Sequence, residues 1–142
     1  IAMTALDGAR IGVAAQALGI AQRALDESVK YMKERIQFGK PIAALQGLQW
    51  YISDMATKIE CAKWMVFRAA WLKVDGQEAA IAKLNASETA NFVVNKALQI
   101  HGGYGYMKDY PLERMYRDAK ITEIYEGTSE VHKLVISRSV LK

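Results

Sequence analysis

Apolar residues recur in steps of three and four from residue 11 onward. Ile11, Ala15, Leu18, Ala21, Leu25, Val29 and Met32 share one helical face. This spacing predicts a first helix running to about Arg35, with Gly39 as a permissive cap and Pro41 as a stop. A more regular seam follows: Leu45, Leu48, Ile52, Met55, Ile59, Ala62, Val66 and Ala69 alternate three and four, like the inner line of a bundle. Trp50, Trp64 and Trp71 recur at multiples of seven on another side of the same helix. Either both sides pack inside one bundle, or the tryptophan side meets another domain or subunit.

After an expected turn at Asp75-Gly76, a third stripe is dominated by alanine: Ala79, Ala82, Ala86, Ala90, Val93, Ala97 and Ile100, ending at Gly102-Gly103. Small side chains of this kind let neighbouring helices approach closely. Pro111 then starts a short helix to about Ala119, the pattern breaks from Tyr125 to Gly127, and a last helix from about Thr128 carries Val131, Leu134 and Val135. No run of period-two alternation bounded by turns and no internal repeat is evident. The expectation is an all-α, up-down four-helix bundle with three long helices and a split fourth.

Composition narrows the class further. At 142 residues the chain fits one domain, 1–142, and a 51% hydrophobic, 24% charged content suits a globular protein rather than a disordered one. The longest uncharged run, Pro41 to Ser53, is too short to span a bilayer, so no membrane insertion is expected. The single cysteine, Cys61, excludes a disulfide framework and suggests a reducing compartment. A net charge of +4 is spread over every segment, which argues against nucleic acid as a partner. The chain opens in helix-like sequence without an initiating Met, as a fragment of something longer would.

Three features bear on chemistry. His101 and His132 have no carboxylate or cysteine at ligand spacing, so each reads as structural and no metal is expected. The glycines of QIHGGYGYMKDYP follow a helix, where a phosphate loop would follow a strand; they are a helix stop, or a terminus that a phosphate approaches from another side. Glu126 stands between Ile124-Tyr125, which are expected to exclude water, and a helix start. It is either a cap-like acid that steadies the helix or a desolvated general base.

Four stretches together resemble one family. ALDGARIGVAAQALGIAQRALD (5–26), ERIQFGKPIAALQ (34–46), QIHGGYGY (99–106) and YRDAKITEIYEGTSE (116–130) are similar, in order and spacing, to the C-terminal helical domain of the acyl-CoA dehydrogenases. The resemblance covers essentially the whole chain. It implies an FAD-dependent oxidoreductase of fatty acid metabolism, normally a homotetramer and sometimes a dimer, that passes electrons to an electron-transfer flavoprotein.

By that resemblance Glu126 is the catalytic base that takes the pro-R α-proton of an acyl-CoA while the β-hydrogen leaves as hydride to flavin N5, giving trans-2-enoyl-CoA. Thr128 and Glu130 would contact FAD. Arg35, Phe38 and Gln46 would hold its dinucleotide portion, with Gln99 and Gly103 its neighbours on the adjacent subunit. Asp7, Arg10, Tyr125 and Gly127 would line the substrate pocket. Some members carry the base near Ala9 instead, which here has no carboxylate. The family's N-terminal helical and middle beta domains are missing from these residues, so the isolated chain is expected to be inactive or nearly so. The location would be bacterial cytoplasm or mitochondrial matrix. The competing reading is a non-catalytic helical oligomerisation module derived from the family.

Overall fold

The computed structural model describes residues 2–72 and 76–142. It is helical almost throughout: α1 (Ala2–Glu34), α2 (Gln46–Leu72), α3 (Gly76–His101), α4 (Leu112–Ile121) and α5 (Ser129–Val140). The expected turn at Asp75-Gly76 starts outside the described residues, and Gly76 already opens α3.

Between α1 and α2 the chain makes a minimal hairpin, β1 (Ile36–Gln37) against antiparallel β2 (Lys40–Pro41). Gly39 belongs to this hairpin, not to a helix cap. Phe38 and Gly39 both have positive φ, 53° and 74°, the backbone that a two-residue primed turn requires. Phenylalanine rarely adopts it, and here the ring projects with 85% of its surface exposed.

The centre of the bundle is the contact between α1 and α3. The deepest line of α1 is Ala14, Ala17, Ala21, Ala24 and Ser28, all fully buried, while Ala15 is exposed. The buried face is thus turned from the one the larger apolar residues mark, because Ile11, Leu18 and Leu25 only flank it. Alanines Ala82, Ala86, Ala90 and Ala97 present a matching line from α3. Two rows of methyl groups let the axes come close, and each tight contact adds dispersion as well as removing apolar surface from water.

The α2 seam packs as its spacing predicts: Met55, Ile59, Ala62, Val66 and Ala69 are buried, with Leu45, Leu48 and Ile52 packed beside them. Trp50, Trp64 and Trp71 stay on an open face, so within this chain they belong to no core. Asn91 joins α3 to α4 by donating to the Ala119 carbonyl at 3.0 Å.

On α5 the expected apolar face is only partly the inner one, Val135 being half-buried. Val131 and Leu134 are exposed, whereas Ser129 and His132 are buried. The reason lies in what α5 covers, a polar patch around Lys83 of α3.

Candidate active site at the Glu126 turn

Residues 122–128 join α4 to α5 as a compact turn closed by the Ser129 amide donating to the Glu123 carbonyl at 3.2 Å. Thr128 caps α5: its hydroxyl accepts from the Val131 amide at 3.5 Å. At the apex, Glu126 and Gly127 have φ of 54° and 99°. A non-glycine residue in the left-handed region costs on the order of 1–3 kcal/mol, and such residues cluster at functional sites.

Glu126 is half-buried, and among the described residues its carboxylate accepts no hydrogen bond and joins no ion pair. It therefore does not act as a side-chain cap. Tyr125 reaches back to α1 and hydrogen-bonds Gln16 through its hydroxyl. Ile124, expected to shield the acid, is 50% exposed and turns outward beside Ile121.

Beneath the turn lies a buried polar floor. Arg10 pairs with Asp7 at 3.0 Å, both side chains nearly inaccessible, and the carboxylate also faces the start of α3 at Gly76. Lys83 is fully buried and donates from Nζ to the Gly127 carbonyl at 2.7 Å. Burial pulls the Lys83 ammonium below the ordinary lysine range; Arg10 adds to this, while Glu123 and Glu126 oppose it.

His132 is fully buried against Gly127, where an added Cβ would come within 3.2 Å of its ring. Burial, then the charges of Lys83 and Arg10, push its pKa down to about 4. The imidazole is neutral at pH 7, and its ring nitrogens face the Glu126 and Gly127 backbone without a well-aligned hydrogen bond.

The structure therefore brings Asp7, Arg10, Tyr125, Glu126, Gly127 and Thr128 to one end of the bundle. Glu130 lies close by on α5, exposed, its carboxyl held below the usual carboxylate range by its own backbone amide and the Thr128 hydroxyl. Lys83 was not anticipated, although its spacing shows it: it falls on the buried alanine stripe, four residues after Ala79 and three before Ala86.

A second group gathers at the opposite end of α3. Arg35, Phe38 and Gly103 line a groove of about 640 Å³ together with Tyr31, His101 and Tyr104. The Arg35 guanidinium lies over the Tyr104 ring at 5.0 Å. His101 stacks on Tyr31 at 4.1 Å; its Nδ1 is 2.8 Å from the Ala97 carbonyl, leaving Nε2 buried without a partner. Gln46 and Gln99 are exposed and do not line the groove.

The donor set of this groove fits a dinucleotide. Gly102, with φ of 60°, and Gly103 carry no side chain where the groove passes, and nothing else stands within 4 Å of a Cβ built there. A pyrophosphate can approach that backbone closely, with a guanidinium beside it and an aromatic wall for a base. The two groups are far apart within one chain. Along α3 the rise from Lys83 to His101 is roughly 27 Å at about 1.5 Å per residue.

Comparison with known proteins places the sequence and the fold. The family model for "Acyl-CoA dehydrogenase, C-terminal domain" matches residues 1–141. The chain is 72% identical to an acryloyl-CoA reductase (NADH) of Anaerotignum propionicum, over all of this chain and 37% of that protein. Its fold superposes on the butyryl-CoA dehydrogenase of Megasphaera elsdenii with a TM-score of 0.96 at 49% identity, covering 99% of this chain and 38% of the other. It superposes also on an acyl-CoA dehydrogenase complexed with FAD from Bacillus anthracis, with a TM-score of 0.93 at 32% identity, covering 99% and 28%. The chain thus spans well under half the length of these relatives. With its residues matched end to end and its fold reproduced, it belongs to the acyl-CoA dehydrogenase family and corresponds to that family's C-terminal helical domain.

Proposed function

We propose that this chain supplies the proton-transferring part of an FAD-dependent oxidoreductase acting on the α,β bond of an acyl-CoA, with Glu126 as the base. The observation that carries this reading is the Glu126 turn: an uncommitted carboxylate on a strained left-handed residue, set over a buried charged floor. An acid meant only to steady a helix would be engaged with the backbone amides, as Thr128 is.

In the forward direction the α C–H bond breaks and its proton passes to the Glu126 carboxylate, while the β-hydrogen departs with its electron pair and the α,β double bond forms. The chemistry that FAD supplies when bound is acceptance of that hydrogen and electron pair at N5. Charge developing on the thioester oxygen is met by fixed donors, and the Glu126 backbone amide is one candidate. Arg10 and Lys83 place positive charge behind the turn, which favours the enolate-like transition state over the neutral substrate.

High identity to a protein named as an acryloyl-CoA reductase favours a short acyl chain and, in that setting, the reverse direction. Protonated Glu126 then returns a proton to the α-carbon, as microscopic reversibility requires. An electron-transfer flavoprotein is the proposed redox partner.

The roughly 27 Å along α3 bears on assembly. One dinucleotide whose ring lies against Glu126 does not also place its pyrophosphate in the Arg35 groove of the same chain. The groove of one protomer, Arg35 and Phe38 as much as Gly103, then serves the cofactor of another in a homotetramer or dimer.

The test uses the full-length protein. Glu126→Gln should retain FAD and its yellow colour yet lose flavin bleaching by butyryl-CoA; bleaching at the parental rate would show that the base is misassigned. The non-catalytic oligomerisation module predicts no kinetic consequence from this substitution.

A further inference from the structure

We propose that Lys83 is a positioning residue for the reaction, holding the Glu126 turn in its working conformation through the Gly127 carbonyl. The inference rests on the assignment of Glu126 as base. Among the described residues Lys83 is the largest fully buried side chain, placed on a helix face made mostly of small residues, with Ala79, Ala82, Ala86 and Ser87 around it. An ammonium taken out of water carries a large desolvation cost, and packing alone would be served better by an apolar residue of similar length.

Its hydrogen bond does not stay within the helix core. It crosses 44 positions of sequence to the one carbonyl between Glu126 and the cap of α5. That carbonyl belongs to the second of two consecutive residues with positive φ and lies in the Gly127-Thr128 peptide, so Lys83 anchors the turn one residue after the acid, where a change at Gly127 would swing Glu126 away. The turn is otherwise closed at its base, by Ser129 to Glu123, and against α1, by Tyr125 to Gln16. Lys83 alone among these contacts grips the apex from α3. His132 is seated against Gly127, its ring 3.2 Å from where a Cβ would stand.

The experiment compares full-length Lys83→Met, Lys83→Gln and Glu126→Gln holoenzymes. Met keeps the length without the donor; Gln keeps a donor too short to reach the Gly127 carbonyl. Displacement of a reacting group by about 1 Å can cost on the order of 100-fold. In whichever Lys83 variant folds and retains FAD, kcat should therefore fall roughly 10- to 100-fold with KM changed little. The isotope effect with α-deuterated butyryl-CoA should rise as proton transfer becomes rate-limiting. A folded, FAD-loaded Lys83 variant with parental kcat and isotope effect, beside an inactive Glu126→Gln, overturns the positioning role. Parental turnover by Glu126→Gln instead overturns the assignment of the base.

Discussion

Acidification should loosen this fold through His132. The imidazole is fully buried and carries a pKa of about 4 against an ordinary 6.5. Between those values the unfolded chain binds a proton that the folded chain refuses, so stability is complete above about 6.5 and is lost as pH falls toward 4. At roughly 1.4 kcal/mol per unit the limit is about 3 kcal/mol, with about 2 kcal/mol already gone at pH 5. His101 is also lowered, chiefly by burial, so the assay must separate the two.

Urea unfolding of the 142-residue chain and of His132→Gln, each at pH 7 and pH 5, does this, since every other titrating group is common to both. The gap between parent and variant should narrow by about 2 kcal/mol on acidification, a relative midpoint shift of roughly 1 M. Histidine-selective NMR should show the His132 ring still neutral at pH 5. A gap that does not change with pH would refute the reasoning, and would mean that the ring is hydrated or protonated where it sits.

Other outcomes follow from the same geometry. Glu126→Gln should lower turnover of the full-length enzyme by at least about 100-fold without loss of flavin, checked by stopped-flow bleaching. Gly127→Ala should destabilise by about 1–3 kcal/mol, because alanine must adopt a φ near 99° and its Cβ meets the His132 ring; thermal unfolding of the chain reads this. Ala86→Leu, at a fully buried point of the alanine stripe, should cost about 1–3 kcal/mol by overpacking, measured in the same way. Arg35→Met should weaken FAD retention in the full-length protein while leaving its far-UV circular dichroism unchanged, since Arg35 is half-exposed and its guanidinium lies over the Tyr104 ring at the groove rather than in the helical core.

The helices and their order were legible because step-of-three-and-four patterning survives tertiary packing: the α3 stripe is buried residue for residue, and the α2 seam is buried from Met55 to Ala69 with its first three members partly covered. The α1 face was legible only approximately. Reading by side-chain size points to Leu18 and Leu25, but where helices touch most closely the contact is made by the smallest residues, Ala17 and Ala21. The polar inner side of α5 was hidden for a related reason. His132 points inward toward Lys83 and Gly127, and that lysine is 49 positions before it in sequence. The Phe38-Gly39 hairpin left no trace in periodicity, since two-residue strands are too short to show one. Of the site, resemblance supplied the names of Glu126, Arg35 and Gly103. Only coordinates could separate them into a turn at one end of α3 and a groove at the other.

The methyl-to-methyl seam between α1 and α3 has a mechanical corollary. Interlocked alanines leave no slack for one rod to slide on its neighbour, so the pair behaves as a single stiff beam. Slippage by even one residue, about 1.5 Å, would be felt undiminished at both tips. Two pieces of chemistry mounted at those tips thereby inherit one shared tolerance, and a fault introduced midway along the beam degrades both together.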